Sequence, residues 1–179
     1  MIIWVNGAFG SGKIQVAYEL HRRLPQSFVF DPENTGFYIR DNIPPVISKL
    51  DFQDYFLWRD INYLMLKYID TEYAGTVIVP MTIADPTYFM EITGRLRDER
   101  ILVTQFTLCA SRETLLTRLR SRGEGEDSWS AKQIERCVEG LKDEVFHYHL
   151  DTELLSVEDV AESIALQLGI TLLPRNRGH

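Results

Sequence analysis

Near the start of the chain, Gly7-Ala8-Phe9-Gly10-Ser11-Gly12-Lys13 carries the G-x-x-x-x-G-K spacing with which a backbone holds phosphate. The glycines let the chain turn tightly and aim its N–H groups at anionic oxygens. The helix that should follow adds the positive end of its dipole, and Lys13 adds a point charge for β- and γ-phosphates. A chance glycine-rich turn would have no need of an apolar strand before it and a helix after it. The next residue, Ile14, stands where the motif asks for Ser or Thr. An isoleucine side chain has no oxygen for Mg²⁺, so the ion would rely on phosphates, water and another carboxylate. The end of the third expected strand, Val79-Pro80-Met81-Thr82, offers no acid, which leaves Asp31 as the best-placed one. ATP is therefore the expected cofactor, Mg²⁺ is weakly supported, and no protein-built metal site is expected. Nucleotide binding, through residues 7–14, is better supported than fast phosphoryl transfer.

Further chemistry lies downstream. Arg118 and Arg122 are four apart and share a helix face. They precede the polar loop Gly123-Glu124-Gly125-Glu126-Asp127-Ser128, and Arg136 follows it. Guanidinium groups bind phosphate oxygens in a fork, so three of them around a mobile loop suit a lid over a phosphate site, placed at about 123–130. The alternative is a solvated face paired with Glu113, Glu124, Glu126 and Glu135; Arg120 is read as surface. On the acceptor side, Asp31 could take a proton from a substrate hydroxyl, or serve only as an Asp-Pro turn residue. Arg40 and Arg59 could grip an anionic group there. Lys13, Asp31 and Arg136 form the expected catalytic set. Seven aromatics crowd positions 37–63, mostly as core, with a few free to stack on a base or line a channel. His147 and His149 read as alternating on one strand, with no third ligand to make a metal site.

These residues need a frame. Ile2 to Val5 is an apolar run, as a strand covered on both faces should be. Helical spacing follows over Lys13 to Leu24, then strand Ser27 to Phe30, helix about Asp51 to Tyr73, and strand Thr76 to Val79. After these come helix Pro86 to Asp98, strand Ile101 to Leu108, a Ser111-capped helix to Arg122, helix Ala131 to Leu141, and a short strand near Phe146 to Leu150. A last helix opens at Ser156 with Asp159 as an approximate capping box and ends at Gly169. Five strands alternating with helices predict an α/β fold with a parallel sheet flanked by helices, as one domain over 1–179. Ligands in such sheets bind beyond the carboxyl ends of the strands, where most of the polar residues above fall. The net charge of −7 argues against a general nucleic-acid surface. Cys109 and Cys137 fit no metal spacing and read as reduced thiols. No apolar stretch reaches the roughly 18 residues of a membrane span, and the short apolar run at the N-terminus lacks the basic flank of a signal peptide. The expected location is cytoplasmic, with at most peripheral membrane contact.

The stretch Ala110 to Arg122 resembles the pre-lid helix of the nucleoside-monophosphate-kinase branch of P-loop proteins, to which adenylate and shikimate kinases are related. That resemblance implies that Arg118 and Arg122 stand near adenine and phosphates and that Arg136 reaches the transferred phosphoryl group. A closer resemblance covers nearly the whole chain. Ile3 to Lys13, Tyr18 to Leu24, Phe30-Asp31-Pro32-Glu33, Ile78-Val79-Pro80-Met81-Thr82-Ile83 and Ser128-Trp129-Ser130-Ala131-Lys132-Gln133-Ile134 resemble the bacterial tunicamycin-resistance proteins. The family implies an ATP-binding protein that protects against a nucleoside antibiotic, by phosphorylation or by sequestration. Threonine is the family residue where Ile14 stands, and the sequence ends at His179 without the basic amphipathic tail that some members carry. Two other readings remain: a non-catalytic nucleotide-dependent binding module, favoured by Ile14, and a metabolic kinase for a sugar or nucleotide. The oligomeric state is not legible.

Overall fold

A computed structural model of the chain describes residues 1–175. Five strands form one sheet in the order β2-β3-β1-β4-β5, and every pairing is parallel. The elements run β1 (Ile2–Gly7), α1 (Lys13–Arg23), β2 (Ser27–Val29), α2 (Pro32–Asp41), α3 (Phe56–Glu72), β3 (Thr76–Pro80) and α4 (Pro86–Asp98). They continue with β4 (Val103–Cys109), α5 (Arg112–Arg120), α6 (Trp129–Gly140), β5 (His149–Asp151) and α7 (Val157–Leu168). This is a P-loop nucleotide-kinase-like α/β fold. The end of the expected single domain, residues 176–179, lies outside the described residues.

β1 is the central strand, which is why its sequence is apolar without alternation. Ile2 and Trp4 face a core shared with α2 to α6, while Ile3 and Val5 face a second core made with α1 and α7. All four are fully buried. The helix starts follow their caps. Ser111, Ser128 and Asp85 each accept a bond from an amide three residues on. Ser156 and Asp159 bond each other's backbone amides reciprocally, so the imperfect capping box forms.

One helix was not expected. Asp31-Pro32 read as a turn, but Asp31 caps α2 through its side chain, and Pro32 occupies the first helical position, where a missing N–H costs nothing. The long helix expected over 51–73 is instead a short 3₁₀ turn, Phe52–Asp54, followed by α3. The two histidines do not share a strand. Tyr148 has φ 52°, the chain bends there, and β5 begins at His149. At the far end of α6, Gly140 meets the loop after β3 so closely that a Cβ would come within 2.4 Å of the Ala84 carbonyl oxygen. No helix among the described residues is long and apolar enough to cross a membrane.

Candidate functional site

The phosphate loop is anchored at its root by a side chain. Asn6, fully buried, donates to the Ile83 carbonyl at 2.8 Å and accepts from the Ile83 and Gly7 amides at 3.1 and 2.8 Å. Thr82 donates to the Gly7 carbonyl at 2.7 Å, and the Trp4 indole donates to Met81 O at 3.0 Å. The segment Met81-Thr82-Ile83 therefore carries no metal acid but holds the loop in place. Within the loop, Gly10 has φ 85°, and a Cβ there would meet the Leu115 carbonyl oxygen at 2.6 Å, so α5 packs directly on it. Gly12 hands over to α1 with φ 88°.

Two polar groups in this loop lack partners. The buried Ser11 hydroxyl has no hydrogen bond. The Lys13 ammonium, 7 % exposed, makes no ion pair or hydrogen bond among the described residues and lies 5.2 Å from the centroid of the Phe9 ring. Burial lowers its pKa to about 8, and Arg122 lowers it further against the pull of Glu33 and Asp31. An unpaired buried cation beside an unpaired hydroxyl fits an anionic group, as a bound phosphate would supply. Ile14 stays 38 % exposed at the start of α1 and brings no ligand atom.

Beside the loop is a cavity of about 350 Å³ lined by Gly10, Gly12, Gln15, Arg118, Arg122 and Val157, among others. Arg118 is held at its edge, donating to Thr152 Oγ1 at 3.2 Å and Thr152 O at 2.8 Å. Arg118 and Arg122 thus share one wall with the phosphate loop. Arg136 is elsewhere: it pairs with Asp51 at 2.9 Å and with Gln133 at 2.9 Å.

On the other side of the loop is a cleft of about 430 Å³. Its wall includes Phe9, Glu33, Arg40, Asp51, Gln53 and Trp129. Burial raises the Glu33 carboxyl above the ordinary glutamate value, and the Asp31 charge adds to that effect while Lys13 opposes it. Arg40 reaches the carbonyls of Lys49 and Leu50 at 3.4 and 3.3 Å and covers the Phe52 ring at 4.2 Å. Asp31 is not on this wall, and one of its oxygens is engaged in the α2 cap at 2.9 Å. Arg59 is not brought here either. It is buried, paired with Glu91 at 2.5 Å, bonded to the Gln53 carbonyl and stacked 4.0 Å from the Tyr88 ring centroid, so its charge is already satisfied.

The polar loop after α5 spans 121–128, and the expected lid residues 129 and 130 belong to the first turn of α6. Arg120, read as surface, ion-pairs with Glu126 of that loop. Trp129 packs edge-on against Phe9 at 5.1 Å between centroids, joining α6 to the phosphate loop. Both cysteines are free, and burial pushes the Cys137 thiol up to about 11. Among the described residues no group of three His, Cys, Asp or Glu side chains could hold a metal ion. His149 bonds the Leu141 carbonyl at 2.8 Å instead.

Glu33, Gln53 and Trp129 were not singled out from the sequence. The signal for Glu33 was available: Asp-Pro-Glu is a cap, a first-turn proline and a first-turn acid. Gln53 had no such signal, because only tertiary packing turns its side chain toward the cleft.

Comparison with known proteins agrees with this geometry. No protein-family model matches the chain, and no curated protein does. Among solved structures, the tunicamycin resistance protein of Deinococcus radiodurans is 38% identical with a TM-score of 0.83, covering 97% of this chain and 98% of its own. A sugar kinase from a Janibacter species matches at 18% identity and a TM-score of 0.64, covering 95% of each chain. Shikimate kinase from Acinetobacter baumannii, in complex with shikimate, matches at 18% identity and 0.57, covering 94% of this chain and 93% of its own. The last two are similar in fold.

Proposed function

The chain belongs to the tunicamycin-resistance protein family, and from that premise we propose that it binds ATP through residues 7–13 and acts on a nucleoside-type antibiotic held in the Glu33–Arg40 cleft. The observation that carries this reading is Lys13, an unpaired buried cation standing between a nucleotide-sized cavity and an acceptor-sized cleft. Bound ATP supplies the phosphoryl group. Around it, the loop amides, Ser11 and Lys13 hold the phosphates, while Arg118 and Arg122 line the nucleotide side. Glu33 takes the proton from the acceptor hydroxyl as that oxygen bonds to the γ-phosphorus and the bond to the β-phosphate oxygen breaks. Arg40 orients the acceptor. Arg136 leaves Asp51 for the phosphoryl group when the loop at 121–128 closes, and any Mg²⁺ is held by the phosphates, water and a carboxylate such as Asp31 or Glu33. Tunicamycin incubated with the protein and Mg-ATP should gain the mass of one phosphoryl group. Unmodified drug alongside ATP-dependent drug binding would select the second reading, sequestration without turnover, which Ile14 favours.

Two measurements bear on the parts. The Ile14→Thr protein restores a hydroxyl at the metal position, and its ATP affinity should depend more strongly on Mg²⁺ than that of the parent. An identical Mg²⁺ titration in both proteins places the ion elsewhere. The lid is read out by amide hydrogen exchange. Residues 121–128 bury little and should exchange fast in the free protein, then slow with a saturating non-hydrolysable ATP analogue. Equal rates in both states make Arg136 and its loop ordinary surface.

A further inference from the structure

On the reading that the cleft beside Glu33 receives the acceptor, we propose that Gln53 determines acceptor specificity by pairing its carboxamide with the N–H and C=O edge of a planar cyclic amide or imide, such as a pyrimidine base presents. Gln53 is 2 % exposed, lies on the cleft wall, and its Oε1 is buried without a partner. Its side-chain amide makes no hydrogen bond among the described residues. Natural folds rarely leave a buried donor–acceptor pair unspent, because each unpaired group loses its bonds to water without replacement. The position is also fixed. The Gln53 amide bonds Asp51 at 3.1 Å, and its carbonyl takes the buried Arg59 guanidinium, so the backbone cannot drift to relieve the orphan.

The surroundings select a flat ring. Phe37 and Phe52 meet edge to face at 5.0 Å, Phe9 and Trp129 do the same at 5.1 Å, and all four rings line the cleft. Aromatic walls reward a planar partner, and a carboxamide offers one donor and one acceptor side by side. A cyclic amide edge matches both at once, whereas an anion is opposed by Glu33 and Asp51 on the same wall. The cleft volume of about 430 Å³ falls within the range of small-molecule sites.

The test titrates the full chain, without nucleotide, with uridine and with 3-methyluridine, in which the ring N–H is blocked. Wild type should bind uridine at least about tenfold more tightly, the usual scale for one buried pairing lost. The Gln53→Met protein should bind both at the weaker level, and Gln53→Glu, which keeps acceptor oxygens but no donor, should do the same. Gln53→Met should melt no lower than wild type, since methionine removes an orphaned polar group. Equal affinities in wild type, no uridine binding, persistent discrimination in Gln53→Met, or a Tm lowered by several degrees would each overturn the assignment. ATP titrated separately judges the phosphate-loop reading: loss there with intact uridine discrimination leaves Gln53 standing, and the converse removes Gln53 alone.

Discussion

Replacing Lys13 with methionine should make the free protein more stable and deaf to ATP. The ammonium is buried without a partner, and its pKa falls from 10.5 to about 8 on folding, chiefly through burial. Between those values the unfolded chain holds a proton that the folded chain has released, so the stability of the free protein rises with pH across that window. Near neutral pH both states carry the charge, and burying it costs on the order of 3 kcal/mol. Methionine keeps the length and drops the charge, so the midpoint should rise by several degrees in a domain of this size. ATP should raise the wild-type Tm and leave that of the variant unchanged. Nucleotide binding should also be linked to protons. Above about pH 8 the free lysine is neutral and must take up a proton to meet phosphate, so affinity should fall as pH rises. Calorimetry in buffers of different ionisation enthalpy reads this uptake directly. A Lys13→Met protein that melts below wild type, or still gains stability from ATP, removes Lys13 from the phosphate site.

The largest loss of turnover should come from Glu33→Gln, not from Asp31→Asn. Glutamine keeps the shape of Glu33 but cannot take a proton, and loss of a positioned base costs roughly 10²- to 10⁴-fold. ATP affinity should barely change. Because burial and the Asp31 charge raise the Glu33 pKa, the acid limb of the rate profile should lie above the ordinary glutamate range, with activity lost as pH falls through it. That limb should vanish from the residual activity of the glutamine variant. Asp31 does its work as a helix cap, which asparagine performs equally well, so Asp31→Asn should turn over near the wild-type rate. The opposite ranking would return the base to Asp31, and a loss of Mg-ATP affinity in either variant would instead mark that carboxylate as a metal ligand.

Much of the frame was legible because its signals are local. The helix at Pro86–Asp98 starts on a capping aspartate and a proline, and the sequence places both ends where the structure has them. The phosphate loop announces itself by spacing, and the same motif context brings Arg118 and Arg122 to its side. What stayed hidden depends on tertiary contact. Helix α2 is short, and its Asp-Pro start has the same letters as a turn. Arg40 and Arg59 look alike as sequence, yet one faces the cleft and the other is consumed by Glu91, Gln53 and Tyr88, partners 32, 6 and 29 positions away. The Val-Pro-Met-Thr stretch looked like a strand end missing its acid, and its role in bracing Asn6 and Gly7 appears only when β1 and β3 lie side by side.

The close seat of Gly140 on Ala84 makes α6 a lever with a fixed end. With no side chain to spare, that end has nowhere to slide, so the helix turns about it. Twelve residues at 1.5 Å each give an arm of about 18 Å. A tilt of about 10° at the fulcrum carries Trp129 through about 3 Å but Arg136, a turn from the pivot, through only about 1 Å. The same small rotation is therefore coarse where the indole meets Phe9 and fine where the guanidinium must find its oxygen. A bulkier residue at 140 would not simply crowd the joint; it would move the fulcrum and change the gearing between the two.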